Sequence, residues 1–378
     1  MAKRIHIVFT TIFIPHVLRA LENNIVRNGH KEITKIWVVG DCTTPPEVSD
    51  MARELTDAGL ETVYLDIAAQ DAWGSDFHEF YTRIPYNNET RRNLGYLHAY
   101  QDGCEILLSL DDDNFPTEDD LVGGHLKTGN MLIQSMLSEP FGYHNICEYL
   151  SFSPKRSIFP RGFPFRLRGM CNSPKIINPP RGAIVGVTAG LWLREPDVDA
   201  TTWLNGKIVG IAYTGPDDIV LEQKTWTPIN TQNTSIVREL IPAYLCVPMG
   251  FDVPGGKIQR YGDIWGGYFM QTAIQGTCYH VAFGRPLVDH RRNPHNYVDD
   301  LRHEFWGMVL TDWMLEELKS NFQSTETEIS ARMLALSEYL GEDAVARLPS
   351  WAPPEVRNFL VETSKTMIAW ISACRKVA

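Results

Sequence analysis

The sequence feature that most constrains this chain is an apolar segment that ends in three consecutive carboxylates. Residues 104–110 are mostly apolar, and Asp111, Asp112 and Asp113 follow them directly. A run of this length is typical of a strand that is buried on both faces. The three acids then lie at the carboxyl end of that strand, which is the edge where open α/β sheets bind ligands.

The chemistry of these three acids favours a metal site. Adjacent carboxylates repel one another and cost folding stability unless a cation neutralises them. Mg²⁺ or Mn²⁺ combines carboxylate oxygens with substrate phosphates, so a metal diphosphate is the expected occupant. The alternative is a solvated acidic turn, because Glu118, Asp119 and Asp120 come shortly afterwards. We favour the metal site because the three acids directly follow a buried strand.

Segments with strand and helix patterns alternate in the first part of the chain. The strand patterns cover residues 5–11, 35–41 and 61–66, and the helix patterns cover residues 16–27, 46–58 and 88–100. This alternation predicts right-handed crossovers and a mainly parallel sheet.

Four polar residues in these segments are candidates for nucleotide contacts. Asp41 and Asp66 follow predicted strands, so each either contacts a nucleoside or caps the next helix. Arg91 and Arg92 open the helix that leads into the acidic strand, where they are available for phosphate or the nucleoside. We expect one of the two arginines to lie on a solvated helix face.

The composition argues against several classes of partner. The 378 residues carry a formal net charge of −11, whereas nucleic acids and anionic membranes need a basic face. The seven cysteines are scattered without a CxxC pair, which favours a reducing compartment over disulfides or zinc. The chain starts directly with a strand pattern, and no apolar segment reaches ~18 residues. We therefore expect a cytoplasmic enzyme without a membrane span.

Three motifs after residue 150 resemble one known family. They are residues 159–169 (FPRGFPFRLRG), 189–200 (AGLWLREPDVDA) and 260–267 (RYGDIWGG). Their sequence and order are similar to motifs of the reversibly glycosylated polypeptides, the UDP-arabinopyranose mutases best known from plants. An acidic motif after a nucleoside-binding sheet is also the pattern of GT-A glycosyltransferases. The resemblance runs from about residue 90 to Trp370 and so covers most of the chain.

The resemblance implies a fold and a set of possible functions. It predicts an α/β, GT-A-like (Rossmann-like) catalytic domain over residues 1–300 and a helical extension over residues 301–378 that packs on it. The implied function is a metal-dependent pyranose/furanose mutase that acts on a UDP-sugar with Mn²⁺ or Mg²⁺. The alternatives are a glycosyltransferase with a separate acceptor and a non-catalytic partner subunit. A homo- or hetero-oligomer is possible in each case.

The acidic motif and one histidine make up the predicted metal and nucleotide site. Asp113 and Asp111 would hold the metal, and His290 is a further metal or phosphate partner unless it is a surface histidine beside two arginines. Asp112 would bind the metal or the ribose. The predicted nucleotide-binding residues are Asp111 and Asp112 of this motif, with Arg92 and Asn93 from the preceding helix.

Arg161, Arg168 and Asp263 are the predicted catalytic residues. The resemblance matches Arg161 to the arginine that becomes glycosylated in the family, although a guanidinium is a poor nucleophile. Alternatively, Arg161 and Arg168 make bidentate contacts to the departing diphosphate. Asp263 would contact sugar hydroxyls or act as a base, unless it is only a turn acid.

Two tryptophans and three departures from the family pattern bear on the substrate. Trp192 and Trp265 either offer a face to a sugar or belong to the core. The family has a cysteine where this chain has Asn114 and an acid where it has Gly262, and the spacing at His290 is shorter. These changes surround the sugar, so the identity of the sugar stays open.

Overall fold

The computed structural model describes residues 3–170 and 175–378. Strands and helices alternate in its first part, as the sequence predicts. The elements are β1 (Ile5–Thr10), α1 (Val17–Arg27), β2 (Thr34–Val39), α2 (Glu47–Asp57), β3 (Thr62–Leu65), α3 (Ile67–Gly74), α4 (His78–Tyr81), α5 (Arg92–Gln101) and β4 (Ile106–Leu110). The segment between β3 and α5 thus contains the two helices α3 and α4.

The first four strands form a parallel sheet in the order β3-β2-β1-β4. Their side chains are almost entirely buried because helices cover both faces. The carboxyl ends of all four strands meet at one edge, and Asp111 is the first residue after β4. The predicted position of the acidic motif is therefore correct.

The middle of the chain continues the same sheet with shorter helices. Its elements are β5 (Asn114–Pro116), α6 (Leu121–His125), β6 (Met131–Ser138), β7 (Leu150–Ser153), β8 (Ile176–Arg194), α7 (Ala200–Leu204), β9 (Val209–Tyr213), β10 (Asp218–Leu221), β11 (Asn233–Val237), β12 (Phe251–Val253), β13 (Gly256–Ile258), α8 (Gly262–Ala273) and β14 (Tyr279–His290).

This half of the sheet is mixed, so parallel pairing predominates only in the first four strands. β11 lies antiparallel between β4 and β8, and β8 also pairs antiparallel with β6 and parallel with β14. Parallel neighbours need long crossovers, but α6 and α7 have only five residues each. The α/β fold class, with helices flanking the sheet, is as predicted.

Three helices complete the chain, as the sequence predicts after residue 301. They are α9 (Tyr297–Asn321), α10 (Ile329–Tyr339) and α11 (Pro354–Val377). α11 packs against α5 and α10 packs against α8. The Trp370 ring lies against Phe80, and its Nε1 donates a hydrogen bond to the Pro242 carbonyl oxygen at 3.0 Å. No helix in the described residues is both long enough and apolar enough for a membrane crossing.

Gly95 sets the distance between α5 and the sheet. A Cβ atom at this position would lie 2.5 Å from Val8 Cγ1 and 2.7 Å from Val39 Cγ2. A side chain would therefore push α5 away from β1 and β2. The close approach brings Arg92, at the start of α5, to the edge of the sheet where β4 ends.

Candidate active site

Two adjoining cavities form one cleft at the carboxyl edge of the sheet. The first has a volume of about 310 Å³ and lies at the ends of β1, β2 and β4. The second has a volume of about 250 Å³ and lies toward α8 and β14. Both are lined by Glu89, Arg92, Asp111 and Asp113. A ligand that spans the two cavities would therefore pass the acidic motif.

The three acids of the motif have three different partners. Asp111 accepts a hydrogen bond from Arg92 Nη2 at 2.7 Å. Asp112 accepts one from Thr11 Oγ1 at 2.6 Å, at the end of β1. Asp113 Oδ2 lies 3.4 Å from His290 Nε2. The carboxylates thus spread across the floor of the cleft.

Strand pairing explains why His290 reaches the acidic motif. β5 follows the motif directly, and β14 pairs with it antiparallel so that His290 lies opposite Asn114. His290 is buried rather than a surface residue. The sequence places these residues far apart, and only the return of β14 along β5 brings them together.

The motif carries more negative charge than its protein partners offset. Burial raises the pKa of Asp111 although Arg92 opposes the shift, and burial raises the pKa of Asp112 to about 6. Among the described residues, His290 Nδ1 and Asn114 Oδ1 are buried without a hydrogen-bond partner. A cation in this part of the cleft would relieve the carboxylates.

The protein ligands near the acidic motif could hold a divalent ion only if substrate oxygens completed its coordination. No point among the described residues is surrounded by three or more His, Cys, Asp or Glu side chains suited to a metal. Asp113 Oδ2 and His290 Nε2 are 3.4 Å apart, and Asp111 lines the same cavity. Mg²⁺ and Mn²⁺ usually complete such a set with phosphate oxygens and water.

Arg161 lies in the wall of the second cavity between two carboxylates. Its Nε and Nη2 donate to Asp197 Oδ1 and Oδ2 at 2.9 and 3.2 Å. Its Nη1 and Nη2 donate to Asp263 Oδ1 and Oδ2 at 3.2 and 3.0 Å. Nη1 also donates to the Arg260 carbonyl oxygen. These contacts occupy all five N–H donors of the guanidinium. We call Arg161, Asp197, Asp263 and Arg260 the arginine cluster.

The electrostatics of the arginine cluster hold Arg161 cationic. Burial disfavours its charge, but Asp197 and Asp263 outweigh burial and raise the pKa of Arg161. Burial also opposes the charge of Asp197, but Arg161 prevails and lowers the pKa of Asp197 to about 2. The pair is ionised throughout the physiological range of pH.

The backbone around Arg161 is adapted to this arrangement. Gly162 has φ +84°, and a Cβ atom there would lie 2.3 Å from the Ile264 side chain on α8. Its carbonyl oxygen accepts a hydrogen bond from the Tyr268 hydroxyl at 3.0 Å. A side chain at position 162 would therefore displace α8, which carries Asp263 in its first turn.

Helix α9 fixes the other side of the arginine cluster. Arg260 has φ +63°, a left-handed conformation that is rare for a residue with a side chain. Its Nε donates to Glu304 Oε1 at 3.0 Å, and its Nη1 lies 3.2 Å from Asp300 Oδ1. Glu304 also accepts the Ala200 backbone N–H at 2.7 Å. These contacts hold the Arg260 carbonyl oxygen toward Arg161.

Arg292 is a site residue that the sequence interpretation missed. It lines the second cavity, its side chain is 8% exposed, and it lies over the Trp203 ring. Its Nη1 is buried without a hydrogen-bond partner, and its Nη2 lies 4.0 Å from Asp300 Oδ2. Burial, together with Arg260 and Arg161, lowers its pKa. Arg292 is therefore a cation in the cleft wall with a spare donor.

Two predicted site residues lie outside the cleft walls. Arg168 pairs with Asp199, the N-cap of α7, and its guanidinium lies 3.6 Å from the centre of the Phe165 ring. Asn93 is buried, and its amide exchanges hydrogen bonds of 2.8 and 2.9 Å with the backbone of Cys246. Neither side chain lines the two cavities.

The remaining candidates divide between the cleft and the scaffold. Asp41 lines the first cavity, whereas Asp66 caps α3 by accepting the Ala69 N–H. Trp192 and Trp265 are both core residues.

The expectation of a solvated arginine at positions 91 and 92 is wrong. Arg91 is fully buried, with its Nε bonded to Gln70 Oε1 at 2.7 Å and its guanidinium over the Tyr86 ring. Arg92 is buried as well, at the cleft.

Three further residues had no predicted role: Asp197 and Arg260 of the arginine cluster, and Glu304, which contacts Arg260. The first two lie inside the motifs at residues 189–200 and 260–267, so their position in a family motif was the available signal. Glu304 lies in a helix pattern that shows no catalytic signature. Its role depends on the packing of α9 against the cleft.

Comparisons with known proteins give matches over most of the chain. A crystal structure of glucosyl-3-phosphoglycerate synthase from Mycobacterium tuberculosis, with Mn²⁺ and UDP-glucose, aligns at a TM-score of 0.40 and 10% identity, covering 82% of this chain and 79% of that chain. A probable UDP-arabinopyranose mutase 1 from Pisum sativum is 26% identical over 306 residues. UDP-arabinopyranose mutase 3 from Arabidopsis thaliana is 26% identical over the same length. Each of these two alignments covers 77% of this chain and 72% of the relative.

A family model described as "Reversibly glycosylated polypeptide" matches residues 69–378. The matched region contains the acidic motif, the arginine cluster, His290 and Arg292. It leaves out β1 to β3, which contribute Thr11 and Asp41 to the first cavity.

Proposed function

Because the chain belongs to the reversibly glycosylated polypeptide family, we propose that it interconverts the pyranose and furanose forms of a UDP-sugar. In this reaction UDP leaves the sugar C1, a different hydroxyl oxygen bonds to C1 while the bond from C1 to the original ring oxygen breaks, and UDP returns. The plant relatives named UDP-arabinopyranose mutase make UDP-arabinopyranose the first substrate to test.

The observation that carries this proposal is the shared wall of the two cavities. The acidic motif lies where they adjoin, and the arginine cluster lines only the second. A nucleoside in the first cavity would place its diphosphate at the acidic motif and its sugar beside Asp263. Departure and return of UDP can then occur without an acceptor.

Asp113 and His290, with Asp111 beside them, are the residues that would hold a divalent metal. When bound, the ion would neutralise the charge that develops on the departing diphosphate. Arg292 would donate to the same diphosphate, because its Nη1 has no hydrogen-bond partner among the described residues. Arg92 orients the Asp111 carboxylate through its hydrogen bond.

Ring contraction needs a proton to move from one sugar hydroxyl to the former ring oxygen. Asp263 is the acid of the second cavity at the start of α8, and we assign this transfer to it. Its carboxylate keeps lone pairs beyond the two hydrogen bonds from Arg161. Arg161 holds that carboxylate in place.

If Arg161 became glycosylated, the hydrogen bonds of the arginine cluster would have to change. A glycosyl group on its guanidinium requires the loss of at least one of the five hydrogen bonds and of one proton. Asp197 and Asp263 are the two carboxylates placed to accept that proton. Without an adduct, Arg161 acts only by positioning the carboxylates and by stabilising the departing UDP.

A product assay tests the proposal directly. Purified protein incubated with UDP-arabinopyranose and Mn²⁺ should form the furanose nucleotide without any acceptor, as followed by chromatography. A glycoside formed only after addition of an acceptor would replace the mutase with a glycosyltransferase. Absence of both products, while UDP still binds, would favour a non-catalytic partner subunit.

A further inference from the structure

A larger cavity of about 520 Å³ lies at the other end of α8 from Asp263. Its walls come from the C-terminal end of α8, the segment after β10, the end of α9 and α10. None of its lining residues lines the cleft. We call it the lysine cavity.

The lysine cavity is lined by cations and by no acid. Lys224, Lys319 and Arg332 belong to its walls, and no Asp or Glu does. Within residues 3–170 and 175–378, none of the three forms an ion pair with a carboxylate. This is unusual in a chain with a net charge of −11, where most buried arginines of the cleft are paired.

Lys319 is held in a defined position with donor capacity to spare. Its Nζ donates to the carbonyl oxygens of Gly142 and Lys224 at 2.6 and 3.0 Å. The ammonium also lies 3.9 and 4.5 Å from the ring centres of Tyr143 and Trp226. An ammonium has three donors, so one proton is left for a ligand. Burial, with a smaller effect of Arg166, lowers the pKa of Lys319 to about 7.

The frame of the lysine cavity is rigid before any ligand binds. The two N–H groups of the Gln223 amide lie within hydrogen-bond distance of three carbonyl oxygens around the end of α8, and its Oε1 accepts the Gly276 N–H at 2.9 Å. Arg332 donates to the carbonyl oxygens of Ala273, Gln275 and Glu326. Arg332 therefore caps the C-terminal end of α8. Lys224, in contrast, is exposed.

We propose that the lysine cavity binds a small phosphorylated sugar, at a site separate from the cleft. Lys224 and Lys319 would meet the phosphate. Phe322 would offer a ring face to the apolar side of the sugar. Thr272 and Ser324 supply hydroxyl groups for its polar side. Cations, a ring face and hydroxyl groups together match the phosphate, the apolar side and the polar side of a phosphorylated sugar.

Calorimetric titration of the full chain with ribose 5-phosphate tests this site, with ribose and glucuronate as the neutral and carboxylate comparisons. Ribose 5-phosphate should bind, ribose should not, and glucuronate should bind more weakly. The double variant Lys224→Gln/Lys319→Gln should weaken binding at least about tenfold, because two charged contacts are lost. Arg292→Gln, in the cleft, should leave this binding unchanged.

Lys224→Gln alone keeps the test valid if the double variant fails to fold, since the Lys224 side chain is exposed. It should weaken ribose 5-phosphate binding severalfold. Absence of binding to the wild type would overturn the proposal. Binding lost in Arg292→Gln but kept in Lys224→Gln would also overturn it, because the ligand would then occupy the cleft.

Discussion

Arg161 donates two nearly parallel hydrogen bonds to Asp197, from Nε to Oδ1 at 2.9 Å and from Nη2 to Oδ2 at 3.2 Å. Asp197 is 4% exposed, and Asn230 Nδ2 donates to the same carboxylate at 2.7 Å. A buried ion pair of this kind contributes little compared with an apolar pair, but the loss of one partner leaves an uncompensated charge. The cluster is therefore most sensitive to single substitutions.

The first prediction concerns that sensitivity. Asp197→Asn should lower the free energy of unfolding by about 3 kcal/mol, because Arg161 stays buried with one carboxylate partner instead of two. Urea denaturation would measure the change. Asp66→Asn is the matched control, since Asp66 also follows a strand but caps α3 near the surface and should cost about 1 kcal/mol or less. Equal losses for the two variants would contradict the prediction.

Experiments on Arg161 distinguish a route with a covalent sugar–protein adduct from one without. If the sugar is attached to Arg161, intact-protein mass spectrometry after mixing with UDP-arabinopyranose should show an adduct that excess UDP removes. Arg161→Lys should then abolish the adduct, because lysine keeps the charge but lacks the planar fork. If Arg161 acts only as a cation, no adduct forms and the lysine variant keeps part of its activity.

Arg168→Lys is the comparison for this experiment. Arg168 pairs with the N-cap Asp199 and lines neither cavity of the cleft. The variant should keep the adduct, if one forms, and lose activity only through a displaced α7. Loss of the adduct in Arg168→Lys with retention in Arg161→Lys would reverse the two roles.

Turnover and Mn²⁺ binding should both require the Asp113 carboxylate. Asp113→Asn should abolish turnover and reduce Mn²⁺ binding in the presence of UDP, while the free energy of unfolding stays within about 0.5 kcal/mol because removal of one carboxylate relieves repulsion. Calorimetry with Mn²⁺ gives a readout besides activity. Glu118→Gln removes an acid of the same stretch whose side chain is 96% exposed, and it should change neither quantity. Undiminished turnover in excess chelator would refute metal dependence.

Arg292 should contribute to UDP affinity and its neighbour should not. Arg292→Gln should weaken UDP binding by about tenfold, since a hydrogen bond to a charged group contributes about 1.5–3 kcal/mol. Arg291→Gln removes an adjacent arginine that is 50% exposed and bonds Asp289 outside the cleft. Titration of both variants with UDP compares them under one condition, and equal effects would argue against a specific role of Arg292.

The stability of the protein should depend on pH through Lys319. Its pKa is lowered by burial to about 7, whereas an unfolded lysine titrates near ~10.4. Between these values the unfolded state binds more protons, so the cost of burying Lys319 is full below pH 7 and declines as the pH rises.

The free energy of unfolding of the wild type, relative to Lys319→Gln, should therefore increase by up to about 1.4 kcal/mol per pH unit between pH 7 and 9. The difference between the two proteins removes the contribution of other groups. Lys365→Gln, an exposed lysine on α11, should show no such trend. A flat difference for Lys319→Gln would mean that its amine stays charged in the folded state.

The sequence was sufficient for the features that depend on local pattern. β1 to β4 and α1, α2 and α5 follow from periodicity, and the position of Asp111 at the end of β4 follows from an apolar run that ends in acids. Family motifs were sufficient to single out Arg161 and Asp263, which line the second cavity. Both kinds of signal lie within a few consecutive residues.

The missed features depend on contacts between distant segments. One of Arg91 and Arg92 was expected near solvent, because α4 and Tyr86, which cover Arg91, lie in a segment without a recognisable pattern. Arg292 was given no role because only the course of β14 and α9 brings it to the cleft. Propensity and periodicity carry no information on which chain segment will cover a given side chain.

The left-handed backbone of Arg260 has a consequence for how this cleft can change over time. Glu304 and Asp300 hold Arg260 from a helix some forty residues further along the chain, so none of the three can be replaced alone without loosening the others. We expect substitutions at these positions to appear together among homologues, with an uncharged residue at 304 accompanied by loss of the arginine at 260 and by glycine or asparagine in its place. The family motif around Arg260 is thus one half of a pair whose other half lies in a helix that shows no motif of its own.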